Sequence, residues 1–168
     1  YENKRRQSRV ERTQSKRKKK IVYLWRKKRK IIAGTDKHIR FTFTTDERLK
    51  SKKRIDGLFS NKAFVQNSIL RVYYQPTVLN CAFPAQFAFA ASKRLFPNAT
   101  DRNRLKRLMR ESVRLQKPEF YKSLQEKNKE VVLLLSYHAK SIADFKTVDA
   151  AVTQLLKKLL NELHWFSS

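Results

Sequence analysis

Two blocks of like charge, Lys16-Arg17-Lys18-Lys19-Lys20 and Arg26-Lys27-Lys28-Arg29-Lys30, constrain what this chain can fold into more than any other feature. Mutual repulsion and the demand for water keep such blocks out of a packed interior. Residues 1–40 hold 17 Lys+Arg against 3 Asp+Glu, a net +14, and the other 128 residues carry the remaining +12 of the formal +26. The first domain, 1–40, therefore reads as a basic, disordered arm. Two apolar islands interrupt it, Ile21-Val22-Tyr23-Leu24-Trp25 and Ile31-Ile32-Ala33, and the first is too short for the apolar core of a signal peptide. The chain begins with Tyr1 and its single methionine is Met109, so Tyr1 is not expected to be a translation start. The folded domain is placed at 41–168.

Composition removes several classes of function. With 40% hydrophobic and 11% aromatic residues, the remainder is rich enough to bury a core. The longest apolar run, 131–135, is far short of the roughly 20 residues a membrane helix needs, so no membrane span is expected. A lone Cys81 forms no internal disulfide, and no disulfide-linked partner is expected; it reads as a loop residue. His38, His138 and His164 have no spacing that suits zinc. A positive field of this size attracts phosphate above all, which makes nucleic acid the first expected partner and an anionic membrane surface the second.

From Phe41 onward the pattern is that of short periodic elements. Thr44 and Glu47 fit a capping box, and Leu49, Ile55, Leu58 and Phe59 follow near helical spacing, which predicts a helix over 45–61. Its other face carries Arg48, Lys50, Lys52, Lys53 and Arg54. Residues 68–74, stopped by Pro76, and 86–91 read as strands and as antiparallel neighbours. Phe87 and Phe89 alternate onto one face, and of the two uses for such a pair, core or base-stacking platform, core is the commoner. Thr100 or Asp101 is expected to cap a helix over 101–116 that ends before Pro118. The run 131–135 reads as a strand, and 143–163 as an amphipathic helix with Phe145, Val148, Val152, Leu155, Leu156, Leu159, Leu160 and Leu163 on one side. The order predicts an α+β domain, one sheet with helices laid against it.

The helix at 101–116 holds the strongest functional signal. At 100° per residue Leu105, Leu108, Met109, Ser112 and Leu115 share one side, while Arg102, Asn103, Lys106, Arg107, Arg110 and Arg114 cover the other. Arg104 falls between them and is expected to reach toward the sheet. A merely solvated face interleaves both signs, yet the only acids nearby are Asp101 and Glu111. Arginine also outnumbers lysine in the strip, which suits bidentate phosphate contacts.

The run Arg102-Asn103-Arg104-Leu105-Lys106-Arg107-Leu108-Met109-Arg110-Glu111, preceded by Ala91-Ser92-Lys93-Arg94, resembles the signature of the bacterial ribonuclease P protein subunit. Arg48-Leu49-Lys50, Phe59 and the order of elements fit as well, so the resemblance covers about 41–163 and leaves 1–40 without a family role. It implies a ribosomal-protein-S5-domain-2-like fold: a single sheet of about four strands packed against helices, with a left-handed β-α-β crossover. The implied function is that of a non-catalytic protein subunit of a ribonucleoprotein endoribonuclease in the bacterial cytoplasm. A catalytic RNA would remove the 5′ leader of precursor tRNA by hydrolysis dependent on Mg2+ held by the RNA. Arg102, Asn103, Arg104, Lys106, Arg107 and Arg110 would dock on the ribonuclease P RNA. Ile55, Phe59 and Tyr73 or Tyr74 would line a cleft for the single-stranded leader, with Lys93 and Arg94 at its edge. In the family an aromatic side chain commonly stands at the position of Ile55. The residues themselves agree with a non-catalytic protein, since no carboxylates cluster in sequence as a two-metal site would need and Cys81 and the serines lack a nucleophile's partners. A structural RNA-binding protein, such as a small basic ribosomal protein, would share the charge and texture and is the alternative. A DNA-binding protein is disfavoured because the strip offers few side chains for reading base edges.

Overall fold

The computed structural model describes residues 42–165, so the expectation for the arm at 1–40 lies outside the described residues. The elements run α1 (Lys52–Ser60), β1 (Phe64–Gln66), β2 (Leu70–Pro76), β3 (Ala85–Ala91), α2 (Ala99–Glu126), β4 (Val131–Tyr137) and α3 (Phe145–Trp165). The strands form one mixed sheet in the order β1-β2-β4-β3. Strand β4 pairs antiparallel with β2 and parallel with β3, so β3-α2-β4 is a β-α-β unit.

Strand order follows from burial. All five residues of the apolar run in β4 are buried, so this strand is apolar on both faces and takes a central position. Strands β2 and β3 therefore flank β4 on either side, and the antiparallel pairing between them that the sequence predicts does not form. One sheet face, with Val72, Tyr74, Phe87, Leu133 and Leu135, packs on Leu105, Met109, Val113, Phe120 and Leu124 of α2 and on the apolar stripe of α3. Phe87 and Phe89 both belong to this core side. The other face, with Val132, Leu134 and Ala88, packs on Leu49, Leu58 and Ile55.

The opening helix is shorter than 45–61. Ser51 caps α1 by accepting a hydrogen bond from the Arg54 N–H at 3.5 Å. The Thr44–Glu47 pair does form, with Glu47 Oε2 accepting from the Thr44 N–H at 2.6 Å and from its hydroxyl at 2.9 Å, but no helix follows. Glu47 is instead drawn into the interior, where Lys117 Nζ donates to it at 2.7 Å and the Tyr121 hydroxyl at 2.8 Å. Its backbone turns to the sheet: the Glu47 carbonyl accepts from the Phe87 N–H, and the Leu49 N–H donates to the Phe87 carbonyl, both at 2.8 Å. Residues 47–49 thus cover the outer edge of β3, a use of backbone groups that a helix would have consumed.

Helix α2 begins at Ala99 with Asn98 as its N-cap residue, not at Thr100 or Asp101, and it runs through Pro118. Proline removes one intrahelical bond, but Lys117 just before it and Phe120 and Leu124 beyond it are buried and hold the helix in place. It ends in a Schellman motif: Asn128 takes φ 52°, its N–H donates to the Gln125 carbonyl, and the Lys129 N–H donates to the Leu124 carbonyl.

Candidate nucleic-acid interface

The cationic helix face is present, with particulars the wheel did not give. Asn103, Arg104 and Arg107 are exposed, Lys106 and Arg110 are half-buried, and the Arg110 guanidinium lies 5.6 Å from the ring centre of Phe89 on β3. Arg104 does not reach toward the sheet; it lines a groove on the opposite flank of α2, beside Phe145 at the start of α3. Leu115 is not packed either, at 43% exposure. Arg102 turns back on the preceding loop, its Nη1 donating to the carbonyls of Phe96 at 2.8 Å and Pro97 at 2.5 Å. Those carbonyls answer a cation that the N-terminal end of a helix would otherwise disfavour. Arg114 is bound to Glu111 at 2.5 Å, a contact that holds the Glu111 carboxyl below its ordinary range. Arg104, Arg107, Lys106 and Arg110 form no salt bridge among the described residues.

A second surface lies on the α1 side of the sheet. Strand register sets its rows: Phe64, Tyr73, Leu134 and Ala88 form one, and Gln66, Arg71, Ser136 and Ala90 the next. Helix α1 covers the first row in part. At Gly57 it faces β2, where a Cβ would stand 3.6 Å from Gln75 Oε1. Beside the helix these rows carry the small side chains Ala88, Ala90 and Ser136, a strip of the face termed the trough. Phe59, 49% exposed, meets Tyr73 edge-on at 5.0 Å between ring centres, and Phe64 lies 5.9 Å from the same ring. Arg71 sits over Phe64 at 4.6 Å, held by Gln66 at 2.8 Å.

Ile55, Phe59 and Tyr73 therefore stand together along the trough, and Lys93 and Arg94 are exposed just past the end of β3. Tyr74 does not join them. Alternation sends it to the opposite face, where it is 5% exposed and its hydroxyl pKa is raised by burial and by Glu162. Phe64 and Arg71 also lie on this face, and neither is among the residues named from the sequence; β1, which carries Phe64, is only three residues long and has too little alternation to register. Among the described residues no group of three or more His, Cys, Asp or Glu side chains is placed to hold a metal ion.

Fold and surface together define a small, basic α+β nucleic-acid-binding protein with an arginine-rich helix on one face of its sheet and an aromatic trough on the other. The ribonuclease P family model matches residues 43–160. The ribonuclease P protein component of Chlorobaculum tepidum is 31% identical over 121 residues, covering 67% of this chain and 79% of that relative. That of Porphyromonas gingivalis is 32% identical over 120 residues, covering 71% and 87%. The RNase P protein structures from Staphylococcus aureus and Thermotoga maritima share the fold at TM-scores of 0.54 and 0.51, with 19% and 22% identity. They cover 67% of this chain, and 94% and 96% of the respective structures. The chain belongs to the ribonuclease P protein family, as the protein subunit of a ribonucleoprotein endoribonuclease with an RNA partner. The reading as a structural ribosomal protein gives way to it.

Proposed function

We propose that this protein assists a catalytic RNA in removing the 5′ leader of precursor tRNA, by docking α2 on the RNA and holding the leader in the trough. The observation that carries the reading is the family match over a helix whose exposed cations, Arg104 and Arg107, form no salt bridge among the described residues. A strip of this kind gains most by releasing counterions from phosphates. In this reading Asn103, Arg104, Lys106, Arg107 and Arg110 face the ribonuclease P RNA, and Arg102 fixes the loop before them as well as adding charge. Phe59, Tyr73 and Ile55, joined by Phe64 and Arg71, offer apolar surface to leader bases, while Lys93 and Arg94 meet its phosphates. Tyr74 is left out because it is buried on the other face.

The hydrolysis belongs to the RNA and its Mg2+. No group of three or more His, Cys, Asp or Glu side chains is placed to hold a metal ion among the described residues, and in this reading the protein binds and orients. The proposed setting is the bacterial cytoplasm, and no described helix is long and apolar enough to cross a membrane. The arm at 1–40 adds sequence-independent RNA affinity in this account.

The test is a comparison of precursor tRNA with and without its leader, bound by the complex of catalytic RNA and protein. Phe59→Ala is expected to weaken only the leader-bearing substrate, by roughly 1–3 kcal/mol if a base rests on it. Arg107→Ala is expected to weaken protein binding to the catalytic RNA and to leave leader discrimination intact. Equal losses for both substrates with Phe59→Ala would remove the trough from the account.

A further inference from the structure

The groove beside Arg104 is unlike the rest of the cationic strip. It is an open groove of about 440 Å³ between the first turns of α2 and the start of α3, within the size range of small-ligand sites, roughly 300–1,000 Å³. Two exposed arginines, Arg104 and Arg107, stand at its rim, while Leu108 and Phe145, both half-buried, supply apolar lining. Asn103 and Glu111 add a polar edge. Resting on the proposed docking of α2, we infer that this groove receives one unstacked nucleotide of the partner RNA, its base against Phe145 and Leu108 and its phosphates on Arg104 and Arg107.

Charge and shape select this occupant. The two arginines form no salt bridge among the described residues, so an anion is the complement they lack. A double helix would satisfy them with backbone phosphates alone and leave the ring of Phe145 facing stacked, inaccessible bases. An extruded base has a π-face to lay on an aromatic ring, the way unpaired RNA positions are generally recognised. Glu111 does not oppose the anion at full strength, because Arg114 grips both its oxygens, Nε to Oε2 at 2.9 Å and Nη2 to Oε1 at 2.5 Å. Held in that way, Glu111 remains an acceptor for an exocyclic amino group, and Asn103 supplies a donor and an acceptor, so the groove favours a base that bears an amino group. This site lies on the α2–α3 flank and draws on Leu108 and Phe145, neither of which serves the leader trough.

The experiment uses the full chain and a bacterial ribonuclease P RNA. Phe145→Leu keeps apolar volume but no ring, and is expected to weaken RNA binding roughly tenfold, the effect of losing one stacked base, with its melting temperature preserved. Phe145→Trp is expected to restore affinity. Arg104→Gln, at an exposed position, serves if Phe145→Leu unfolds, and is expected to lower the log–log salt slope by about 0.7–0.9. A photoreactive p-benzoylphenylalanine at position 145 is expected to cross-link to a single unpaired nucleotide. Wild-type affinity in Phe145→Leu, or cross-links spread along paired RNA, would overturn the proposal while wild-type stimulation of cleavage left the family role standing. An acidic peptide that competes for the groove while RNA at saturation does not would assign it to a protein partner instead. Failure of the wild-type chain to bind the RNA at all would overturn docking and groove together.

Discussion

Replacing Lys117 by methionine tests the buried network that draws residues 42–49 onto the domain. Glu47 has no exposed surface and Lys117 is 4% exposed, and their charged groups meet at 2.7 Å. Removing one partner of a buried pair typically costs about 3–5 kcal/mol, because the survivor is left as an uncompensated charge. The survivor here retains three donors, the Thr44 N–H, the Thr44 hydroxyl and the Tyr121 hydroxyl, which places the loss at the lower end, about 3 kcal/mol. Methionine keeps most of the stem but loses the ammonium that lies 5.7 Å from the Phe43 ring centre and 6.0 Å from that of Tyr121, and with it the bond to the Thr42 carbonyl at 2.5 Å. For a domain of this size the expected fall in Tm is roughly 10–15 °C, followed by circular dichroism on the full chain, with urea unfolding as a second reading. The double variant Glu47→Leu with Lys117→Met removes both charges, and its loss should fall short of the sum of the single losses by about 2 kcal/mol or more. A single-variant loss below about 1 kcal/mol, or strict additivity in the cycle, would refute the assignment of this pair as the anchor.

Other consequences follow from single contacts. The His138 pKa lies below its ordinary value, chiefly because burial disfavours the imidazolium and also because Arg71 is near, and Nδ1 has no hydrogen-bond partner. The unfolded chain then binds more protons than the folded one below pH 6.5, so stability should decline as pH falls from there and level off once the folded form also protonates; His138→Gln should flatten that slope in melts at several pH values. Arg102→Ala should lower stability by about 1–2 kcal/mol through its two carbonyl contacts, whereas Arg107→Ala should leave the melt within about 0.5 kcal/mol; identical melts would put Arg102 in the same class as Arg107. RNA affinity should fall steeply with salt, and Arg107→Ala should reduce the slope by about one phosphate's share. A flat response would remove the electrostatic premise.

Residue patterns with a single physical cause were legible in the sequence. The run at 131–135 announced a strand, and its burial on both faces made it central. The leucine spacing of α3 and the arginine strip of α2 follow from helical geometry alone. Features that depend on distant partners were not legible. The Thr44–Glu47 pair looks the same at a helix start and in the turn it makes here, and what decides between them is Lys117 and Tyr121, some 70 residues away. Pro118 would end an isolated helix, but burial of Phe120 and Leu124 outweighs its missing hydrogen bond. Tyr73 and Tyr74 alternate in any strand, and choosing the trough residue required knowing which face α1 covers. Arg104 lies at the boundary of the wheel, and only the placement of α3 sends it toward Phe145 and away from the sheet.

The central claim is that this chain assists a catalytic RNA, and the most direct test is cleavage of labelled precursor tRNA at low magnesium. Bacterial ribonuclease P RNA is assayed alone and with the full chain added. Cleavage at the mature 5′ end is expected to be stimulated, to be lost with removal of the RNA, and to be insensitive to substitution of the protein's carboxylates at positions that do not support the fold. Tight binding of a cognate RNA with no stimulation would contradict it.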